Sequence, residues 1–185
     1  IDSNKSETYN NLGIAYKKIK KYEESIDCFK KSINLNSNNP EAYINLGSSL
    51  RNIRKLDEAI INYNKAIELN PNLHEAYNNR GLTFKDLKNI DSALSDYKDS
   101  LKIKPSADVF NNIANIYKNQ NKLEKALENY EKILTLDRDH VGALGNVIHT
   151  RNKLCIWDNY EKNLIELEKK IKDKKKVTTT FPLLS

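Results

Sequence analysis

An all-α array of antiparallel helix pairs is the fold this sequence predicts, on three observations. An eight-residue block recurs as YNNLGIAY (9–16), YINLGSSL (43–50), YNNRGLTF (77–84) and FNNIANIY (110–117), and its opening aromatics are spaced by 34, 34 and 33 residues. Each copy is followed by a second block, KYEESIDCFKKSINLN, KLDEAIINYNKAIELN, NIDSALSDYKDSLKIK or KLEKALENYEKILTLD, and both blocks are apolar at helical spacing. Only 5 Gly and 4 Pro occur in 185 residues, too few for a loop-rich all-β fold.

The spacing divides the chain into repeats at 6–39, 40–73, 74–106 and 107–140, with a degenerate fifth at 141–176 and an extended tail at 177–185. Residues 1–5, IDSNK, align with the closing segments 35–39 and 69–73. They read as the end of a preceding repeat, in a segment of a longer array. Within each repeat the first block predicts helix A and the second predicts helix B. Acidic residues open helix B (Glu23, Glu24, Asp57, Glu58, Asp91, Glu124) and lysines gather toward its end, as a helix dipole favours. Asn70–Pro71 and Lys104–Pro105 stop helices between repeats, because the residue before proline avoids the helical region.

Small residues mark where A and B approach closely. Position 8 of the repeat holds Gly13, Gly47, Gly81 and Ala114, and position 20 holds Ser25, Ala59, Ala93 and Ala126. Large residues at positions 4, 7, 11, 24 and 28 fill the layers between. Arg80 stands where a leucine is usual. Its stem is expected along the core edge and its head at solvent or a carboxylate.

These residues resemble the tetratricopeptide repeat (TPR). Repeat 2 carries nearly the whole pattern, in Tyr43, Leu46, Gly47, Ala59, Tyr63, Ala66 and Pro71. The resemblance implies a right-handed superhelical solenoid whose A helices line a concave groove, with proteins or extended peptides as partners. A homodimer through the convex face is a further expectation. Position 6 holds Asn11, Asn45, Asn79, Asn112 and Asn146, one amide per repeat on the same face of helix A. An exposed amide both donates and accepts, so such a row can grip a peptide backbone without regard to sequence. Bonds to backbone between helices are the other role open to it. Position 12 holds Lys17, Arg51, Lys85 and Lys118, which suits either acidic peptides or a solvated face. The two-carboxylate clamp by which some TPR domains hold chaperone C-termini is absent. Asn10 and Ile14 stand where its lysine and asparagine belong, and position 2 is acidic (Glu7, Glu41, Glu75, Asp108).

The fifth repeat breaks the small-residue code, with Ile148 at position 8 and Tyr160 at position 20. The array is expected to end or turn there, and a long polar helix is expected at about 157–175. The only tryptophan, Trp157, falls at position 17, where Tyr22, Leu56, Ile90 and Leu123 stand in the other repeats, so it reads as a packing residue opening helix B. Cys155 reads as an ordinary thiol in the A-to-B turn. Cys155, Trp157, Asp158 and Tyr160, followed by a helix and then Phe181, Pro182, Leu183 and Leu184, are similar to the junction after the TPR array in O-GlcNAc transferase and SPINDLY-like proteins. The order Phe181–Pro182 departs from the Pro-before-Phe step of many relatives. The resemblance implies a downstream glycosyltransferase domain using a UDP- or GDP-sugar, for which this segment would recruit substrates. A stand-alone scaffold is the alternative.

Composition limits other functions. Charged residues make up 30%, the net charge is +6, and both signs are interspersed, which speaks against a nucleic-acid partner. The one basic cluster, KKIKDKKK (169–176), suits a solvated helix end, a nuclear-localisation signal or a phosphate contact. No apolar run approaches the ~20 residues of a membrane span. Cys28 and Cys155 stand apart, so no disulfide framework or metal site is indicated, and a cytoplasmic or nuclear location is expected. No catalytic residue and no cofactor is expected in this segment. His74, His140 and His149 read as structural or surface residues.

Overall fold

The computed structural model describes residues 3–172. The expected tail 177–185, with Phe181, Pro182, Leu183 and Leu184, lies outside the described residues. Among those described there are ten α-helices: α1 Ser3–Lys18, α2 Tyr22–Leu35, α3 Pro40–Asn52, α4 Leu56–Leu69, α5 His74–Asp86, α6 Ile90–Ile103, α7 Ala107–Asn119, α8 Leu123–Leu136, α9 Val141–Lys153 and α10 Tyr160–Lys172. Odd helices are the A helices and even ones the B helices. The chain forms two compact units, Ile1–Lys104 with α1–α6 and Pro105–Ser185 with α7–α10. At the start, Ser3–Lys5 form the first turn of α1, whereas the aligned residues 37–39 and 71–73 are turns. The chain therefore enters repeat 1 on a longer helix than the alignment of 1–5 suggests.

The same turn joins A to B in each repeat. Lys20 takes a left-handed conformation (φ 61°), as do Arg54, Lys88, Asn121 and Cys155. The N–H of Lys20 donates to the Lys17 carbonyl and that of Lys21 to the Tyr16 carbonyl, 3.0 Å each. This is the Schellman pattern, which satisfies the last carbonyls of helix A. Between repeats, Asn36, Asn70 and Asp137 are extended, and each side-chain oxygen accepts the N–H two residues on. Two of these turns form without a following proline. The aspartyl and asparaginyl side chains replace the proline as the stop.

In unit 1, the A–B approach works through glycine against an aromatic ring. A Cβ built on Gly13 would lie 2.6 Å from Phe29, on Gly47 2.7 Å from Tyr63, and on Gly81 2.9 Å from Tyr97. The three rings are fully buried, as are Ser25, Ala59 and Ala93 at position 20. Ile26, Phe29, Leu46, Leu50, Ala59 and Tyr63 form one core across repeats 1 and 2. Small hydroxyls close the seams. Ser6 and Ser32 exchange hydrogen bonds with each other's carbonyls at 2.9 and 2.8 Å, and Ser25 donates to Ser49 Oγ at 2.8 Å. Besides each A–B pair, α1 touches α3 and α3 touches α5.

In unit 2, Ala114 and Ala126 are fully buried in a core with Leu127, Tyr130, Ile133, Ala143 and Val147. A second core joins Val141, Leu144 and Ile148 to Leu167 of α10. The close-approach code fails at Ile148 and α10 docks differently, as the sequence indicates. Its start is shifted, however. The turn at Cys155 is regular, but helix B does not follow at Trp157. A second left-handed residue, Asn159 (φ 58°), intervenes, and α10 begins at Tyr160. Two further expectations are corrected. Trp157 is 59% exposed and precedes the helix, so it is not a packing residue at position 17. The B-helix lysines do not crowd the final turn, since α2, α4 and α8 have no basic residue there. Several stand a turn earlier and cover the aromatics of helix A, with Lys31 over Tyr9 at 5.6 Å and Lys132 over Phe110 at 5.9 Å.

Candidate functional site

In unit 1, the A helices touch one another in series, so α1, α3 and α5 present one continuous face. Asn11, Asn45 and Asn79 stand on it. Asn11 is exposed, and the other two are partly buried. Neither the Asn11 nor the Asn79 side chain hydrogen-bonds to any described residue, and both keep a full donor–acceptor capacity. Asn45 is engaged. Its Oδ1 accepts from Lys17 Nζ at 2.9 Å, and its Nδ2 lies 3.5 Å from Asn10 Oδ1. Lysine only donates, so the amide orientation of Asn45 follows from this contact. In unit 2, Asn112 and Asn146 are partly buried, and their side chains make no hydrogen bond among the described residues.

The basic row at position 12 is not uniform. Arg51 Nε donates to Asp86 Oδ2 at 2.7 Å, which neutralises it within the protein. Lys17 is partly buried, and burial lowers its pKa. Its ammonium lies 6.0 Å from the centre of the Phe29 ring. Lys85 is partly buried, Lys118 is exposed, and neither has an ion pair among the described residues. In unit 2, Lys118 and Lys153 act on His149, whose pKa is lowered first by burial and then by these two charges.

Arg80 reaches a carboxylate. Its Nε and Nη2 donate to the two oxygens of buried Asp96 at 2.8 and 2.6 Å, and Nη1 donates to Asn64 Oδ1 at 2.6 Å. The repeat pattern does not single out Asp96 as the partner, although both residues replace uncharged ones in repeat 2, Leu46 and Asn62. The hydroxyls of Tyr63 and Tyr97 are buried and lack a partner among the described residues. Burial raises both phenols far above their usual pKa.

At the junction, Cys155 is a free exposed thiol in the turn. Trp157 meets Tyr160 edge to face, with ring centres 5.6 Å apart at 80°. The two aromatics, with Asn159, Glu161 and Lys162, line an open hollow of about 540 Å³. Asp158 is exposed beside them. Phe181 and Pro182 lie outside the described residues. Among the described residues, no group of His, Cys, Asp and Glu could hold a metal ion, and no helix is long and apolar enough to cross a membrane.

Family models described as "Tetratricopeptide repeat" match residues 6–39, 28–61, 74–106 and 107–140, and one described as "TPR repeat" matches 55–88. Together they run without a gap from 6 to 140. The chain belongs to the tetratricopeptide-repeat family. Its helix pairs are therefore TPR units, and α9–α10 lie beyond the matched stretch. No curated protein matches the sequence. Among solved structures, a crystal structure of MamA is similar at 20% identity and a TM-score of 0.75, over 88% of this chain and 96% of that one. MamA from Desulfovibrio magneticus RS-1, residue 41 to the end, is similar at 18% identity and 0.75, over 93% and 98%. These two show the fold. The first TPR of Spaghetti (RPAP3), bound to the HSP90 peptide SRMEEVD, is similar at 29% identity and 0.62, over 65% of this chain and 96% of that one.

Proposed function

We propose that this TPR segment is a protein-interaction scaffold that binds extended peptide on the A faces of its repeats. The carrying observation is the set of uncommitted position-6 amides: Asn11 and Asn79 in unit 1, and Asn112 and Asn146 in unit 2. Each can give and take one backbone hydrogen bond. The similarity to the peptide-bound TPR of Spaghetti (RPAP3) supports the reading. The ligand chemistry differs, since the lysine and asparagine of the two-carboxylate clamp are replaced here by Asn10 and Ile14. One such contact contributes ~1 kcal/mol, and ordering a peptide residue costs ~1–2 kcal/mol. Binding by amides alone is therefore weak and tolerant of sequence. The test is the dissociation constant of display-selected 12-residue peptides for the full chain and for Asn11→Ala/Asn79→Ala/Asn112→Ala. Affinity falls while the melting temperature holds, because these amides make no bond in the free protein. Unchanged affinity would remove the amides from the site.

A second reading makes the segment the substrate-recruiting arm of a nucleotide-sugar protein glycosyltransferase. It rests on the Cys155, Trp157, Asp158 and Tyr160 junction. The exposed Trp157, edge-on to the partly buried Tyr160, suits a surface that another domain covers. Neither the matching family models nor the structures described above carry a glycosyltransferase domain, so the scaffold reading leads. Transfer of labelled sugar from UDP-GlcNAc by a longer chain would establish the second reading, and failure to bind any sugar nucleotide would end it.

A further inference from the structure

We propose that the corner between Trp157 and Tyr160 binds an alkylammonium group, the trimethylated side-chain nitrogen of a lysine on a partner protein. This corner lies apart from the position-6 amides of the A faces and does not depend on the peptide-binding reading. It competes with the second reading, in which another domain covers Trp157. The observation behind it is a tryptophan that packing does not use. At position 17 the other repeats hold Tyr22, Leu56, Ile90 and Leu123, each partly or fully buried, whereas Trp157 is 59% exposed. The hollow of about 540 Å³ beside it is lined by both aromatics together with Asn159, Glu161 and Lys162. A large apolar group exposed within a polar rim marks an interaction site.

The local backbone fixes the corner. The Tyr160 N–H donates to the Trp157 carbonyl at 3.1 Å, which closes the turn 157–160 with Asn159 left-handed at φ 58°. Tyr160 also packs on the core of Val141, Leu144, Ile148 and Leu167, so one wall is held by unit 2 itself. The rings stand at 80° with centres 5.6 Å apart. A single cation in the hollow can therefore lie within about 6 Å of both centres, the range of cation–π attraction. Charge favours the same ligand. Asp158 and Glu161 are exposed here, and neither has an ion pair among the described residues. Lys162 opposes a cation, but the two carboxylates outnumber it. An anion would meet the negative faces of the rings instead. The hollow is open, so an ordinary lysine ammonium keeps most of its water there and gains little. Methyl groups strip that hydration and bring the charge against the rings, which is how aromatic corners select quaternary ammonium ions.

The test reads the fluorescence of the full chain, in which Trp157 is the only tryptophan and reports this corner alone. Choline chloride is titrated in exchange for sodium chloride, and neohexyl alcohol, the uncharged molecule of the same shape, is titrated in parallel. Choline is expected to give a saturable change and to bind about fivefold more tightly than the alcohol, the size of an exposed cation–π contact. Glu161→Gln keeps the fluorophore and should weaken choline about twofold, and Lys162→Gln should strengthen it by a similar factor. Tyr160→Leu keeps an apolar contact with the core, removes one wall and should erase the advantage of choline over the alcohol. Equal binding of the two small molecules, or no saturable change with choline, overturns the site. The source of the ligand is decided with two peptides that differ only in one lysine, trimethylated or unmodified. Tighter binding of the trimethylated peptide, lost in Tyr160→Leu and weakened in Glu161→Gln, supports a methylated protein partner. Equal binding of the two peptides, or saturation by choline while neither peptide binds, overturns that assignment.

Discussion

At the residue scale, the fold depends on a few close contacts whose removal has a computable sense. Tyr63 is fully buried, and its ring would lie 2.7 Å from a Cβ on Gly47. The ring cannot move aside, so Gly47→Ala must push α3 and α4 apart. Destabilisation of ~1–3 kcal/mol is expected by denaturant titration. A change within error would mean that the helix pair has slack the distances deny. Arg80 and Asp96 form a different dependence. Arg80→Leu leaves Asp96 buried and unpaired and should cost ~3–5 kcal/mol. Adding Asp96→Asn recreates the Leu46–Asn62 pair of repeat 2 and should restore most of that loss. No recovery in the double variant would show that Arg80 acts instead through its bond to Asn64 or through the Tyr77 ring, whose centre lies 5.6 Å from the guanidinium carbon. His149 gives a pH signature. Its folded pKa lies below its unfolded value, so the unfolded chain takes up more protons as pH falls through the ordinary histidine range. Its contribution is therefore neutral near pH 7.5 and becomes a loss of stability as pH drops below about 6.5. The groups facing it are Lys118 and Lys153, both cationic. His149→Gln should flatten stability against pH between about 5 and 7, and an unchanged slope would place the titration elsewhere.

At the element scale, the A-to-B turn is the repeated device, and it is built without glycine. Lys88 holds φ 63° with its side chain exposed. A left-handed non-glycine residue costs ~1 kcal/mol, and glycine returns part of that gain as unfolded-state entropy. Lys88→Gly is expected to raise stability by roughly 0.5 kcal/mol, and a loss would show that the lysine stem packs on the turn. The last element is held less firmly than the others. Within the described residues, α10 docks through Leu167 and through Lys170, whose Nζ donates to the Arg138 carbonyl at 2.9 Å and pairs with Glu166 and Asp139. Burial alone would lower the Lys170 pKa, but the bonds to both carboxylates outweigh it and raise the pKa. Lys170→Met should speed amide exchange across α10 while leaving α7 and α8 unchanged.

At the scale of the whole molecule, the regular part was legible and the irregular part was not, for a physical reason. A repeat is read by comparison with its neighbours. The close A–B approach at Gly13, Gly47 and Gly81 follows from spacing alone, as do helix ends before Pro71 and Pro105, whereas the rings of Phe29, Tyr63 and Tyr97 that face those glycines are seen only in the structure. Asn159 has no counterpart in the other repeats. Repeat register therefore puts Trp157 at a packing position that the extra turn at Asn159 removes, although Asp158–Asn159 is itself a helix-start signal. The position-12 cations looked alike in sequence because their partners sit at other positions, Asp86 for Arg51 and Asn45 for Lys17. Locality also governs stability in such arrays, since each repeat packs only on adjacent repeats. The core around Phe29, Leu46, Leu50 and Tyr63 draws every member from unit 1, and residues 1–104 have the length of an ordinary small domain. Residues 1–104 expressed alone should therefore remain helical by circular dichroism and melt in a single cooperative transition. Within that fragment, Gly47→Ala should lower the midpoint as it does in the full chain. A fragment with little helical signal, or one that melts without a midpoint, would show that the unit 1 core does not suffice for its own fold.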